Sequence, residues 1–597
     1  MAAIPEGNAC AEEYERRLAQ RQAAVFLEKL KLERVGNVRL GFVVAAVAVI
    51  WFAVSHGGNL ALWGLPALVI LIVLFVVGDR VSQRLKARSR AVIYYERALE
   101  RTHLRRNESG ETGDRFLDPA HPYAVDLDLF GKHALFQFLS VCRTRAGENL
   151  LAAWLLAPAL PEEIRARHEA VRDLHPRLDL REDMAVLGED FRSGGHPEAL
   201  ERWAAAPAIR IPPVLIHVAA VFSLLGLLAL AAWTYTLFLD YRPRLAMIIV
   251  ALIEAAIFFR WRSVVLHIAH SAEEPGRNLA LLRDVLARIE RETFTAPRLK
   301  FLHTALTAPA PASEAVAGIT RLVELLESRD NWLVKVFGPL VLWTTQVSFR
   351  TELWRQKHGR DVKRWLSAVA EFEALSSFAC LHYEHPDHTF PDVDESTASI
   401  DCRAIRHPLL SECVANDVAL SPERRLLIVS GSNMSGKSTL LRTIGANTVL
   451  ALAGAPVRAE SMRLCRLNLG ASIRTSDSLD GGISRFYAEI LRIRQILELP
   501  PPALFLLDEL LAGTNSHDRR IGAEAILRAL VERGSMGLAT THDLALSAIG
   551  DGLSQSANVH FEDYVADGKI HFDYHMRPGV VTRSNAIELM RSIGLPV

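Results

Sequence analysis

Cysteine is scarce in this chain. The six residues in 597 are Cys10, Cys142, Cys380, Cys402, Cys413 and Cys465. No two form a C-x-x-C pair, and no histidines cluster with them at metal-ligand spacing. That excludes a disulfide framework and reads as reduced thiols on a cytosolic face. Net charge is also missing: 68 Lys and Arg balance 68 Asp and Glu. No global field therefore draws the chain to nucleic acid, which leaves only a local basic face for that role. No secretory signal is expected, because the first strongly apolar run begins near Val38, behind a charged helical stretch. Internal repeats and long low-complexity tracts are absent. What remains is a chain long enough for several domains.

Half of the residues are hydrophobic, and they are unevenly spread. Residues 40–55, "LGFVVAAVAVIWFAVS", and 60–78, "LALWGLPALVILIVLFVVG", carry no charge and are separated by "HGGN". About 20 apolar residues cross a bilayer core, so the pair predicts a transmembrane helical hairpin. A second pair, 211–239 and 245–259, predicts another, and its shorter member contains Glu254. A carboxylate inside a span is costly and often functional, but a partner helix or polar neighbour is the simpler reading here. Basic flanks, "DRVSQRLKARSR" and "RWR", follow the two pairs, while the "HGGN" loop has no Lys or Arg. The positive-inside rule then predicts four spans with both termini in the cytoplasm. The Arg-rich stretch 80–106 reads first as a juxtamembrane segment that fixes topology and touches anionic lipid, and second as a phosphate-binding face. Tyr94 and Tyr95 within it suit a membrane-interface belt or base stacking.

The most informative stretch is "LLIVSGSNMSGKSTLLRTIG", 426–445. Gly431, Ser432, Asn433, Met434, Ser435, Gly436, Lys437 and Ser438 fit the G-x-x-x-x-G-K-[ST] loop, with a strand pattern before and a helical pattern after. Glycines let the backbone wrap phosphates, and amide N–H groups at a helix start bind the anion. Lys437 should reach the β- and γ-phosphates, Ser438 should ligate Mg²⁺, and Thr439 completes the nucleotide-binding run. About 70 residues later, "ALFLLDEL" ends an apolar run in Asp508 and Glu509. Asp508 should hold Mg²⁺, and Glu509 should orient or activate the attacking water. "GLATTHD" then places His542 as a γ-phosphate sensor. ATP and Mg²⁺ are the expected ligands.

These segments, with "GAPVRAES", "FLLDELLAGTNSHD" and the terminal "SNAIELMRSIGLPV", resemble the ATPase domain of MutS proteins, a branch of the ABC ATPase superfamily. "SLDGGISRFYAEILRIRQIL", 478–497, is similar to the family's signature segment, matching it at Ser484, Phe486 and Glu489. The resemblance implies that Ser484 contacts the γ-phosphate bound by a second copy, so that the site is completed in a homodimer. Asn515 falls in the segment that crosses that interface. Upstream, residues 135–174 and 365–381 resemble parts of the family's helical lever domain, and "IRHPLL" resembles the start of its ATPase domain.

The departures are as telling. No segment resembles the family's mismatch-reading domain, and the second apolar pair sits roughly where the DNA clamp would be inserted. The chain ends at "IGLPV", so the family's C-terminal dimerising extension is not expected. Val414 stands where many relatives have an aromatic that packs on adenine.

The expected fold is an α/β P-loop ATPase domain of ABC/MutS type, joined to an all-α lever domain, with two transmembrane hairpins. The expected division is a charged helix over 1–37, a hairpin over 38–78 and a basic segment over 79–127. Helical core follows over 128–210, the second hairpin over 211–260, further lever over 261–400 and the ATPase over 401–597. The expected function is ATP hydrolysis that moves lever helices in a membrane-anchored dimer, with DNA as ligand by family analogy. The alternative is an ATPase coupled to transport or membrane remodelling with no DNA ligand. A structural protein with a dead site is argued against by Lys437, Asp508 and Glu509.

Overall fold

Three strands with every residue buried form the middle of an α/β sheet: β4 (Leu426–Ser430), β7 (Ala503–Leu507) and β8 (Met536–Thr541). Burial on both faces is why each reads as an unbroken apolar run rather than an alternating one. In this computed structural model the described residues are 7–55, 60–102, 110–194, 197–235, 241–395, 398–473, 485–542, 547, 552–566 and 569–581. The sheet has the order β10–β9–β4–β8–β7–β6, where β6 is Asn468–Ser472, β9 is Ser556–Ala566 and β10 is Lys569–Pro578. All neighbours are parallel except β9 and β10, which form an antiparallel hairpin. A smaller sheet, in the order β1–β5–β2–β3, joins Asp392–Asp394, Ser461–Cys465, Ile400–Ile405 and Asn416–Leu420. Helices Lys437–Ala453, Arg485–Leu497 and Ser516–Glu532 supply the helical part. The α/β expectation for the ATPase part is met.

Two compact units divide the chain, and β1 to β10 belong to the first: 1–141, 150–176 and 375–597. That unit also contains two long helices, Gly7–Ser55 and Leu60–Thr102. They run antiparallel: Arg17 Nη1 donates to Tyr95 Oη at 3.2 Å, Arg88 lies 3.4 Å from Glu28, and Gly78 abuts Val35. Their charged ends converge on one carboxylate. Arg101 donates to Glu384 at 2.6 and 2.9 Å, and Tyr14 Oη donates to it at 3.4 Å. Tyr14 and Tyr95 are fully buried there, with ring centroids 5.7 Å apart. Tyr94 is buried as well. Tyr94 and Tyr95 are therefore neither a membrane-interface belt nor a base-stacking platform, because both are buried, Tyr95 against Tyr14 and Arg17 of the first helix.

Removing one partner of a buried ion pair strands the other charge. Glu384→Ala should thus cost about 3–5 kcal/mol of stability, read as a lowered melting temperature in detergent. An unchanged melting temperature would contradict this reading of the pair.

The apolar halves of the same helices are bare. Val44, Val47, Trp51 and Phe52 on one, and Ile72, Val73 and Phe75 on the other, are exposed large hydrophobics. Helices hydrophobic all round belong in a protein core or a membrane, and among the described residues of this chain none covers these side chains.

The second unit, 142–149 and 177–374, is helical. It holds the other two apolar runs, in helices Pro213–Tyr235 and Tyr241–Glu290. Among the described residues, three helices are long and apolar enough to cross a membrane: the two N-terminal ones and the one over Val214–Tyr235. The fourth expected span is not among them, since its apolar run is short, contains Glu254 and is closed by Arg260 and Arg262. Glu254 is buried and meets Ser223 of the neighbouring helix, which is the polar-neighbour reading of that carboxylate.

Candidate nucleotide site

The phosphate loop lies between the end of β4 and helix Lys437–Ala453. Gly431 and Gly436 have φ of +152° and +102°, the second as the helix N-cap. A methyl group at Gly436 would come within 3.1 Å of Tyr574 and one at Gly431 within 2.8 Å of Ser435 Oγ. Both glycines are thus fixed by conformation and by space. Lys437 is buried and folds back over the loop, donating at 2.8 Å to the carbonyls of Gly431 and of Ser432. Burial pushes its pKa down, while Glu509 and Asp508 oppose that shift. The hydroxyls of Ser432 and Ser435 are buried without a hydrogen-bond partner. Orphaned donors beside a positive helix start fit a polyphosphate. Ser438, Thr439, Asn433 and Met434 are exposed toward the same cleft.

The acidic pair sits at the tip of β7, two strands from the loop's own strand and adjacent to β8. Thr540, near the end of β8, orders both residues: its hydroxyl donates to Asp508 Oδ1 and accepts from the Glu509 amide at 3.0 Å. Glu509 takes φ +49°, a left-handed conformation that turns its carboxylate into the cleft beside Lys437. His542 Nδ1 lies 3.3 Å from Glu509 Oε1, with both side chains partly exposed. The histidine expected as γ-phosphate sensor is therefore placed on the carboxylate of the expected base. Asp508 and Ser438 are the residues that would hold Mg²⁺.

The cleft measures about 790 Å³. Leu410, Val414 and Phe561 line it, and so does Tyr574. Val414 gives the base no aromatic face, as its identity implied, but Tyr574 brings one from β10. A register shift between Phe572 and Met576 bulges that strand, and Tyr574 sits in the bulge with φ +57°. Bulges re-aim side chains. Asn416 pins this one, donating to the Tyr574 carbonyl at 3.0 Å and accepting from the Met576 amide at 2.7 Å. Tyr574→Ala is expected to weaken ATP binding about tenfold, within the 1–3 kcal/mol of a base–aromatic stack, while Tyr574→Phe binds normally. Equal affinity for all three proteins, measured by titration, would remove Tyr574 from the site.

Ser484 lies outside the described residues. Its neighbours in the signature segment are placed. Glu489 is buried and accepts from the Leu511 amide at 2.7 Å, bracing the backbone just past Glu509. Phe486 packs against Gly513. Asn515 caps helix Ser516–Glu532, accepting from the Asp518 amide at 2.9 Å. Sequence reasoning missed Thr540, Asn416 and Tyr574. "LATTHD" contained a signal for the first, a hydroxyl two residues before the histidine. It also missed a histidine cluster: His385, Asp387 and His388 bring potential ligand atoms within 4.8 Å of one another.

Residues 427–597 match the family model described as MutS domain V. The DNA mismatch repair protein MutS 2 of Halobacterium salinarum is 34% identical over 240 residues, covering 38% of this chain and 27% of that protein. Endonuclease MutS2 of Thermus thermophilus is 37% identical over 194 residues, 32% of this chain and 26% of that protein. The DNA mismatch repair protein MutS of Shouchella clausii is 30% identical over 245 residues, 40% of this chain and 28% of that protein. The matched stretch spans about a quarter of the length of these curated relatives. The C-terminal third of the chain is thus a MutS-type ATPase domain, homologous to those of MutS and MutS2 proteins.

Proposed function

We propose that this chain is a membrane-anchored ATPase of MutS type whose ATP site is completed by a second copy. The observation that carries the proposal is that Lys437 and Glu509 line one cleft, with His542 on Glu509, Asp508 joined to it through Thr540, and two orphaned serine hydroxyls in the phosphate loop. Lys437 exchanges its bonds to loop carbonyls for bonds to the β- and γ-phosphates. Glu509, held by the Thr540 hydroxyl and by His542, orients and deprotonates the attacking water. A cation on Ser438 and Asp508 would supply charge neutralisation at the β- and γ-oxygens. Ser484 of the second copy closes the far side of the γ-phosphate.

Membrane anchoring is supported by the bare apolar halves of the N-terminal helices and by helix Pro213–Tyr235. An exposed apolar surface of that extent is not sustainable in water. We place the ATPase domain on the cytoplasmic side, by the basic flank after residue 78, and retain four spans as the topology, with 245–259 as the weakest.

Two couplings follow. DNA is the ligand class named for the mismatch repair relatives, and here DNA binding would act with ATP closure. The second coupling is to the membrane itself. One observation favours it: the far end of the basic stretch is used inside the protein, with Arg101 on Glu384 and Tyr94 and Tyr95 buried, which leaves Arg80, Arg84 and Lys86, next to the apolar run, as its exposed cations among the described residues. The discriminating experiment is ATP turnover of the detergent-purified chain with duplex, mismatched and branched DNA at low and moderate salt. Stimulation by one DNA form, weakening as salt rises, supports the DNA coupling. Turnover indifferent to all of them assigns the engine to the membrane.

A further inference from the structure

Helix Trp343–Glu384 ends at a tight turn, "EHPDH", that leads toward β1. The turn is closed by the His388 amide donating to the His385 carbonyl at 3.0 Å. It carries two imidazoles with centroids 4.9 Å apart and planes 17° from parallel. Both are more than nine-tenths buried, at 7% and 3% exposure. His385 Nε2 and His388 Nδ1 have no hydrogen-bond partner. Buried polar atoms in native proteins are nearly always satisfied, so two orphaned ring nitrogens side by side call for a ligand. The exposed carboxylate of Asp387 stands beside them, and one donor atom from each of the three residues lies within 4.8 Å of the others.

We propose that His385, Asp387 and His388 form a binding site for a divalent transition metal of the zinc class, separate from the nucleotide cleft. Two imidazoles and a carboxylate are the donor set such ions take, often with water in the remaining position. With metal–ligand distances of about 2.0–2.1 Å, tetrahedral donors stand roughly 3.4 Å apart. The donors here lie within 4.8 Å of one another, so gathering them on an ion takes closures of up to about 1.4 Å, shared between the two rings and the exposed Asp387 side chain. His385 is already oriented for the task. The Arg101 backbone lies toward its ring and favours a proton there, and Nε2 is left without a hydrogen-bond partner. A ring that gives its proton to a carbonyl presents a lone pair at Nε2, which is the usual outer support of a metal-bound histidine. Burial disfavours the imidazolium at both positions. Arg458 faces both rings as the adverse charge, with its guanidinium turned to the carbonyls of His407 and Leu410. A metal here would fasten the turn by which the long helix passes into the sheet.

The test uses the untagged full chain in detergent, stripped with chelator, dialysed and free of nucleotide. Zn²⁺ or Co²⁺ is titrated and bound metal is counted, with Co²⁺ absorption reporting the ligand field. The proposal expects one equivalent per chain. It expects about tenfold or greater weakening in Asp387→Asn and in His388→Gln. Asp387 is exposed, so its variant should fold and bind ATP as the parent does. Metal uptake below one-tenth equivalent in the parent, or uptake that Asp387→Asn and His388→Gln leave unchanged, overturns the proposal.

Discussion

Replacing Glu509 with Gln is expected to lower ATP turnover at least 100-fold while leaving ATP bound. General-base assistance contributes about 10²–10⁴ in rate, and this carboxylate is the one that the site places for it. The amide keeps the shape and can still accept from His542, which approaches to 3.3 Å, but it cannot take a proton from water. Lys437, the loop glycines and the serine hydroxyls are untouched, so nucleotide affinity should hold within a few-fold. The consequence is a trapped state. With ATP bound and not hydrolysed, two copies remain closed, and light scattering should show an ATP-dependent dimer that the parent protein forms only transiently. Normal turnover in Glu509→Gln would remove this residue from its role and leave the His542 contact without a function.

Lys437→Ala should have the larger effect on binding. The ammonium is buried and held by two carbonyls at 2.8 Å in the absence of phosphate. Charge-assisted bonds to phosphate oxygens are about twice as strong as neutral ones, and the loop offers no other cation among the described residues that line the cleft. ATP affinity is expected to fall by about 100-fold or more, roughly 2.7 kcal/mol. Lys437→Met serves as the companion variant, because it restores the buried stem and separates lost charge from a collapsed loop. Both should melt as the parent does without nucleotide and lose the stabilisation that ATP gives it. A threefold change or less would mean that phosphates are held elsewhere.

The parts legible in the sequence were those whose chemistry is local. The P-loop states its function in eight consecutive residues, since the turn geometry, the anion-binding amides and the lysine are all neighbours in the chain. β7 and its Asp508–Glu509 tip were readable for the same reason, as a buried strand followed at once by its carboxylates. What escaped were contacts between distant segments. Tyr574 enters the cleft from 160 residues beyond Val414, through a strand bulge that Asn416 holds. No periodicity announces a bulge. Tyr94 and Tyr95 looked like surface aromatics because their neighbours are charged, yet Arg101 finds Glu384 283 positions away and the pair draws the tyrosines inside. The histidines at 385 and 388 were passed over because a metal site was sought as a C-x-x-C pair, although Cys380 and His382 stand just before them. Burial, not spacing, is what makes their free nitrogens notable. The charged flanks 1–37 and 80–106 read as helical, but their continuity with the apolar runs escaped. The apolar runs 40–55 and 60–78 are segments of helices that continue through charged residues to Gly7 and Thr102, because charge on a helix surface does not end the helix.

The most direct measurement is a mixing experiment on the composite site. Lys437→Ala and Ser484→Ala chains are purified separately in detergent, assayed for Mg²⁺-dependent ATP turnover, then mixed and assayed again. If Ser484 of one copy serves the nucleotide held by Lys437 of the other, each variant alone is inactive. A mixed pair then contains one intact site, and the mixture turns over well above the sum of its parts. Wild-type turnover by Ser484→Ala alone, or a mixture no more active than that sum, would contradict an ATP site completed by a second copy.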